Sequence, residues 1–134
     1  MQPALIDTDT LSLFFRNSAS VVRRFNEYLE HYPTISFSVI SYYEILSGLR
    51  HRDAKRQTAS FAKFAAINTI VPLSERSVDI SAQLYADLRK SGKPIDDVDL
   101  LIAGIALEHD MLLVSCNNKH FSRIQGLKLE NWNS

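Results

Sequence analysis

Three acids, Asp96, Asp97 and Asp99, stand at the mouth of an otherwise apolar stretch, Leu100-Leu-Ile-Ala-Gly-Ile-Ala-Leu107, and the next acid along it is Glu108. Stability alone does not require so many carboxylates there. Asp99, Ile102, Ala103 and Ala106 fall on one helical face at spacings of three, four and seven. Asp99 is therefore either a capping acid favoured by the helix dipole or a ligand pointing into a cleft. Two further acids are candidates to meet it. Asp7 directly follows the short apolar run Ala4-Leu-Ile, and a carboxylate at the end of a buried strand is hard to leave without a partner. Glu44 lies in the first turn or two of a helix opened by Ser38 or Ser41, where it is either a surface glutamate or a member of the same cluster. Carboxylates gathered in one cleft repel one another and are costly to desolvate unless a cation offsets both effects. An all-oxygen set without a Cys/His cluster favours Mg²⁺ or Mn²⁺ over structural zinc.

The elements that must position these acids can be read in order. Residues 3–7 form a buried strand, and Thr8 or Asp9 caps a helix carrying Leu11, Leu13, Phe14 and Phe15. Ser18 or Ser20 opens a second helix with Val21, Val22, Phe25 and Leu29 on one face, ended by Pro33. The alternating, β-branched run from Thr34 to about Ser38 is a second strand, followed by the Glu44 helix through Leu49. Asp53 caps the next helix, with Phe61, Phe64, Ala65 and Ile67; Thr69 to Pro72 is a third strand. Ser74 opens a long amphipathic helix closed by Ser91-Gly92, and the Asp99 helix comes next. Met111 to Ser115 is a fourth strand, Asn117 to Phe121 a polar turn, and Leu127 to Glu130 a short edge strand.

Strands alternating with helices over 134 residues imply one domain, 1–134, with a three-layer α/β/α architecture and a mainly parallel sheet. In such sheets ligands bind beyond the carboxyl ends of the strands. Asp7, the Glu44 helix, Ser115 and Asn117 all follow strands and are expected on that rim. Asp99 joins them if its helix descends into the fourth strand. Should the Ser74 helix itself run to the far rim, residues 92–98 must climb back, and seven extended residues reach roughly 23 Å, enough for the purpose.

Composition limits the alternatives. Apolar residues make up 46% of the chain and no run is long enough for a membrane span, while the N-terminus lacks a signal-peptide pattern, so a cytoplasmic protein is expected. Formal charge is zero, with a pI near 6.9, so any phosphate-binding surface is local. Arg16, Arg23, Arg24, Arg50 and Arg52 are the candidate phosphate contacts, though such basic clusters also occur as solvated helix faces. Tyr42, Tyr43 and Tyr85 are either core residues or apolar contacts for a partner. Cys116 is the single cysteine, and no particular histidine is tied to it as a base.

Leu5-Ile-Asp-Thr-Asp9, Ser38-Val-Ile-Ser-Tyr-Tyr-Glu-Ile-Leu-Ser-Gly48, Gly92-Lys-Pro-Ile-Asp-Asp-Val-Asp-Leu-Leu-Ile-Ala103 and Val114-Ser-Cys-Asn-Asn-Lys-His-Phe121 together resemble the motifs of PIN-domain ribonucleases. Gly126-Leu127 and Glu130-Asn-Trp132 extend the likeness toward the VapC toxins of VapBC toxin-antitoxin pairs. The resemblance covers essentially the whole chain. It implies that Asp7, Glu44 and Asp99 are the first three metal-binding acids, that Ser115 fits the family's Thr or Ser, and that structured RNA, with tRNA as a candidate, is cut to leave a 5′-phosphate and a 3′-hydroxyl. It also implies a homodimer and a cognate antitoxin. Where many members carry further acids, this chain has Asn117 and His120: Asn117 can accept a hydrogen bond or orient a water, and His120 either approaches metal or phosphate or faces solvent. Asp9 caps a helix or supports the cluster, and Asp96 and Asp97 are loop or outer acids. The missing acid motivates a second reading, a PIN-fold RNA- or protein-binding module with impaired catalysis. A phosphoacceptor signalling domain is a more distant one, for which Lys119 is poorly placed.

Overall fold

The computed structural model describes residues 2–134. Five short strands, β1 (Ala4–Ile6), β2 (Ser36–Ser38), β3 (Thr69–Val71), β4 (Leu112–Val114) and β5 (Leu129–Glu130), form one sheet in the order β3-β2-β1-β4-β5. Every pairing is parallel, with Leu5 opposite Ser36 on one side of β1 and Leu113 on the other.

A period of two sends neighbouring strand residues to opposite faces, and both faces are buried. Ala4, Ile6, Phe37, Leu112 and Val114 pack with α1 (Thr8–Phe15), α2 (Ala19–Leu29), α3 (Val39–His51) and α4 (Lys55–Ile67). Leu5, Val71 and Leu113 face the other way, against α5 (Glu75–Lys90), α6 (Asp97–Glu108) and Phe121 of α7 (Asn118–Phe121). Helices thus cover both sides of a parallel sheet, the expected three-layer arrangement.

The first core is aromatic. Phe14 stacks on Phe25 at 4.3 Å, Phe37 stacks on Phe64 at 5.7 Å, and Trp132 meets Phe25 edge-on at 5.9 Å. Arg24 lies over the Trp132 ring and donates to Glu130 Oε1 at 2.7 Å, while Trp132 Nε1 donates to the same oxygen at 2.9 Å. The segment after β5 is thereby clasped to α2. Tyr28 adds a buried hydroxyl that accepts the Ala4 N–H at 3.0 Å.

Several local expectations change. Asp7, not Thr8 or Asp9, caps α1, because its carboxylate is the one that reaches the Thr8 N–H. Asp53 does not cap α4; it sits at φ 52° and closes the turn out of α3, and the cap position falls to Ala54 without a side-chain bond. Helix α2 stops at Leu29, four residues before Pro33, and the polar turn after β4 takes helical form over residues 118–121. Tyr43 and Tyr85 stand at the surface, 69% and 40% exposed, while Tyr42 packs on the core.

No climbing loop is needed before α6. Ser74 Oγ donates to the Glu108 carboxylate at 2.8 Å and Ser81 Oγ donates to the Leu100 carbonyl at 2.7 Å, so α5 and α6 lie antiparallel. Residues 91–96 join adjacent ends, with Gly92 at φ 74° supplying the left-handed turn after α5. Gly104 sets how closely the pair approaches: a Cβ there would run into the Ser81 hydroxyl and lie 2.5 Å from the Ser77 carbonyl oxygen. Among the described residues no helix is long and apolar enough to cross a membrane.

Candidate functional site

The strand order reverses between β1 and β4, since the chain adds β2 and β3 on one side and β4 and β5 on the other. The crevice beyond the carboxyl ends of β1 and β4 is where a ligand is expected. Asp7 and Ser115 are the first residues past that ladder: Asp7 N donates to the Val114 carbonyl at 2.8 Å, and Ser115 N donates to the Glu130 carbonyl at 3.0 Å. Strand register alone therefore puts them side by side, and Ser115 Oγ donates to Asp7 Oδ2 at 2.8 Å.

Asp7 is only 5% exposed. Its other oxygen, Oδ1, accepts the Thr8 N–H at 2.8 Å. Those two donors lower its pKa, but burial first, then the negative charge of Asp9, and to a smaller degree that of Asp99, win and push it up to about 7. A carboxyl poised near neutrality at a sheet rim lacks a counter-charge.

Asp99 enters on the first turn of α6, whose N-cap is Asp96. Its side chain is held by a neighbour instead of by the helix end, with Asn117 Nδ2 donating to Asp99 Oδ2 at 3.3 Å. Burial raises its pKa, followed by the charges of Asp96 and Glu44; His120 opposes the rise and Asp9 adds to it. The acids of β1, α3 and α6 thus feel one another. Glu44 is carried by α3, and its Oε1 accepts a hydrogen bond from Thr8 Oγ1 at 2.6 Å. Ser38, buried at the end of β2, caps α3 by accepting the Ser41 N–H at 3.0 Å.

The fourth side of the crevice is polar but not acidic. Asn117 donates its backbone N–H to Ser115 Oγ at 3.0 Å and keeps its amide between Asp99 and His120 Nδ1, 3.3 Å from each. Asp9 supports the floor, accepting the Cys116 N–H at 3.1 Å and Thr10 Oγ1 at 3.1 Å. Cys116 itself is a thiol pushed up in pKa by burial and by Asp9, which disfavours the nucleophilic thiolate.

Among the described residues no three carboxylate, imidazole or thiol groups close into a ready-made ligand sphere. Asp7, Glu44 and Asp99 are nevertheless the oxygen donors that could hold a hard divalent cation: three elements bring them to one crevice, where the charge of Asp99 helps to raise Asp7 and that of Glu44 helps to raise Asp99.

The arginines are not gathered around it. Arg23 pairs with Glu27 at 3.7 Å and Arg24 with Glu130 at 2.7 Å, so both charges are locally offset. Arg50 lies six residues beyond Glu44, about 9 Å along α3, with Arg52 farther still, and Arg16 caps the far end of α1. Among the described residues none of the five bonds Asp7, Glu44 or Asp99. Sequence reasoning missed Thr8 as a partner of Glu44; its position directly after Asp7 was the available signal, since a residue at the rim next to one acid is well placed to touch another.

Comparison with known proteins agrees with this geometry. Residues 4–127 match the PIN domain. The chain is 25% identical over 130 residues, 96% of each protein, to the tRNA(fMet)-specific endonuclease VapC of Shigella flexneri. It is 31% identical to ribonuclease VapC1 of Methanocaldococcus jannaschii over 93% of this chain and 85% of that one. Among solved structures it superposes on VapBC2 from Rickettsia felis bound to a promoter DNA fragment with a TM-score of 0.88, at 27% identity and over 96% and 98% of the two chains. VapBC from Salmonella typhimurium bound to DNA gives a TM-score of 0.87 at 25% identity, over 98% and 99%. With its parallel five-stranded sheet, its crevice between β1 and β4 and a match running through all four sequence motifs, the chain belongs to the PIN-domain family, among the VapC ribonucleases.

Proposed function

We propose that this VapC-type endoribonuclease cuts RNA with a divalent cation, Mg²⁺ or Mn²⁺, held by Asp7, Glu44 and Asp99. The observation that carries the reading is Asp7: a buried carboxyl raised to about 7 by burial and by neighbouring acids, at the switch point of the sheet. Such a group is costly to ionise unaided and becomes a strong ligand once a cation supplies the missing charge.

When bound, the cation would polarise the scissile phosphate and acidify a water. The protein's own groups do the rest. Ser115 fixes Asp7 by donating to Oδ2, and the Thr8 N–H fixes Oδ1. Asn117 steadies Asp99, and its amide oxygen remains an acceptor able to orient the attacking water. His120 places imidazole at the lip, where a phosphate oxygen can be met.

The substrate we propose is structured RNA, with tRNA as the first to try, in keeping with the activity named for the Shigella flexneri relative. We further propose a homodimer, and a cognate antitoxin partner in keeping with the VapBC pairs named for the structural neighbours. Exposed Tyr43, Ile67, Val78 and Tyr85 supply apolar surface for such contacts.

The test is cleavage of total RNA by purified, antitoxin-free protein with Mg²⁺ or Mn²⁺, beside Asp7→Asn, Asp99→Asn and a chelator control. Cleavage that depends on both acids and metal is expected. Cleavage surviving the variants and chelator rejects the mechanism; no cleavage with any RNA or metal favours the binding module instead.

A further inference from the structure

The Glu44 carboxylate is not positioned by its own helix. Its side-chain partner is Thr8 Oγ1, 2.6 Å from Oε1, and Thr8 belongs to the first turn of α1, one residue after Asp7. The same Oγ1 is 2.9 Å from Ser41 Oγ, which in turn is 3.3 Å from Ser38 Oγ. Ser38 and Ser41 are completely buried. A carboxylate only accepts, so the single Thr8 proton goes to Glu44, and the Ser41 hydroxyl is left to donate to Thr8. The result is a one-way run of hydroxyls from the end of β2 to the rim, ending on an acid.

Thr8 is thereby tied to two acids at once. Its backbone N–H donates to Asp7 Oδ1 at 2.8 Å and its hydroxyl to Glu44. Asp7 and Glu44 are 37 residues apart in sequence and belong to different elements, and Thr8 bonds both.

We propose that Thr8 is a positioning residue of the metal site, acting through Glu44: its hydroxyl fixes the distance between the α3 carboxylate and Asp7. The inference rests on the reading of Asp7, Glu44 and Asp99 as the cation ligands. Outer partners that orient a ligand characteristically govern affinity for the ion.

The experiment measures Mn²⁺ binding to RNA-free protein by electron paramagnetic resonance and calorimetry, with melting curves to establish folding. Thr8→Val, which keeps the branched shape and removes the donor, is expected to weaken Mn²⁺ binding about tenfold. Thr8→Ser, which keeps the hydroxyl, is expected to bind within about threefold of the parent protein. Should Thr8→Val fail to fold, Thr8→Ala removes the same donor and is read in its place. Because Thr8 acts through Glu44, the Thr8→Val/Glu44→Gln double variant should bind no more weakly than Glu44→Gln alone. Full Mn²⁺ affinity in a folded Thr8→Val, or additive losses in the double variant, overturns the role of Thr8 and leaves the metal site standing. Undiminished affinity in Glu44→Gln overturns both.

Discussion

Replacing Asp7 with Asn should abolish activity and yet make the metal-free protein more stable at neutral and alkaline pH. In the unfolded chain this carboxyl ionises near 3.8, whereas burial, then Asp9 and Asp99, hold it at about 7 in the fold. Below about pH 4 both states carry the proton and the group contributes no penalty. As pH rises toward 7 the unfolded chain loses its proton first, so native stability falls; above about 7 the deficit is constant. At about 1.4 kcal/mol per pH unit the gap corresponds to roughly 4 kcal/mol. Asn forgoes part of the charge-assisted bonding from Ser115 and the Thr8 N–H, about 1.5–3 kcal/mol. The net gain is about 1–3 kcal/mol, or roughly 4–10 °C in Tm for a domain of this size. Melting curves in EDTA at about pH 8 and about pH 4.5 check it: the variant should melt higher at the first and lose that advantage at the second. Adding Mg²⁺ should raise the Tm of the parent protein and leave the variant unmoved. A variant that is no more stable at pH 8, or whose advantage is the same at both pH values, refutes the account of Asp7 as a buried carboxyl short of counter-charge.

Other consequences can be checked at the bench. Ser115→Ala removes a bond that lowers the Asp7 pKa, so the acid limb of the pH–rate profile should move to higher pH with little change on the alkaline side. Asp99→Asn should cut kcat by about 10²-fold or more while circular dichroism stays native. Gly104→Ala should lower stability by about 1–3 kcal/mol in denaturant titrations, because the new methyl meets the Ser77 carbonyl and Ser81 hydroxyl of α5 before helix propensity can help. Trp132→Ala should cost about 3–5 kcal/mol, read from the same titrations.

What the sequence made legible was mostly local. Apolar runs such as Ala4-Leu-Ile and Leu112-Leu-Val stand out because the central strands of a sheet buried on both faces favour apolar residues on each face. The acids following them had to emerge at one rim once the strands were parallel, so Asp7 and Ser115 could be placed together before any coordinates. Tertiary facts were less accessible. The antiparallel α5–α6 pair is fixed by Ser81 reaching Leu100 and by the missing Cβ of Gly104, contacts that leave no periodic trace. Thr8 looked like a helix cap because capping chemistry and a hydroxyl for Glu44 call for the same residue type. Tyr43 and Tyr85 could be read either as core or as partner contacts because aromatic residues carry a strong burial prior, which surface patches are free to break. Asp53 had a capping residue's composition but takes a left-handed backbone in the turn out of α3, and the cap position falls to Ala54.

The clasp around Trp132 also sets an order of events. The aromatic core built by Phe14, Phe25 and Tyr28 lacks one wall until residues 129–132 come back to lie against α2, more than a hundred positions earlier in the chain. During synthesis that wall follows every helix and the other four strands described, and β5, the strand that carries the Ser115 backbone bond, arrives with it. The rim holding Asp7 and Ser115 therefore gains its β5 support only once the other four strands exist. The single tryptophan of this sequence sits at that closing point, and its emission should report the moment at which the aromatic core closes.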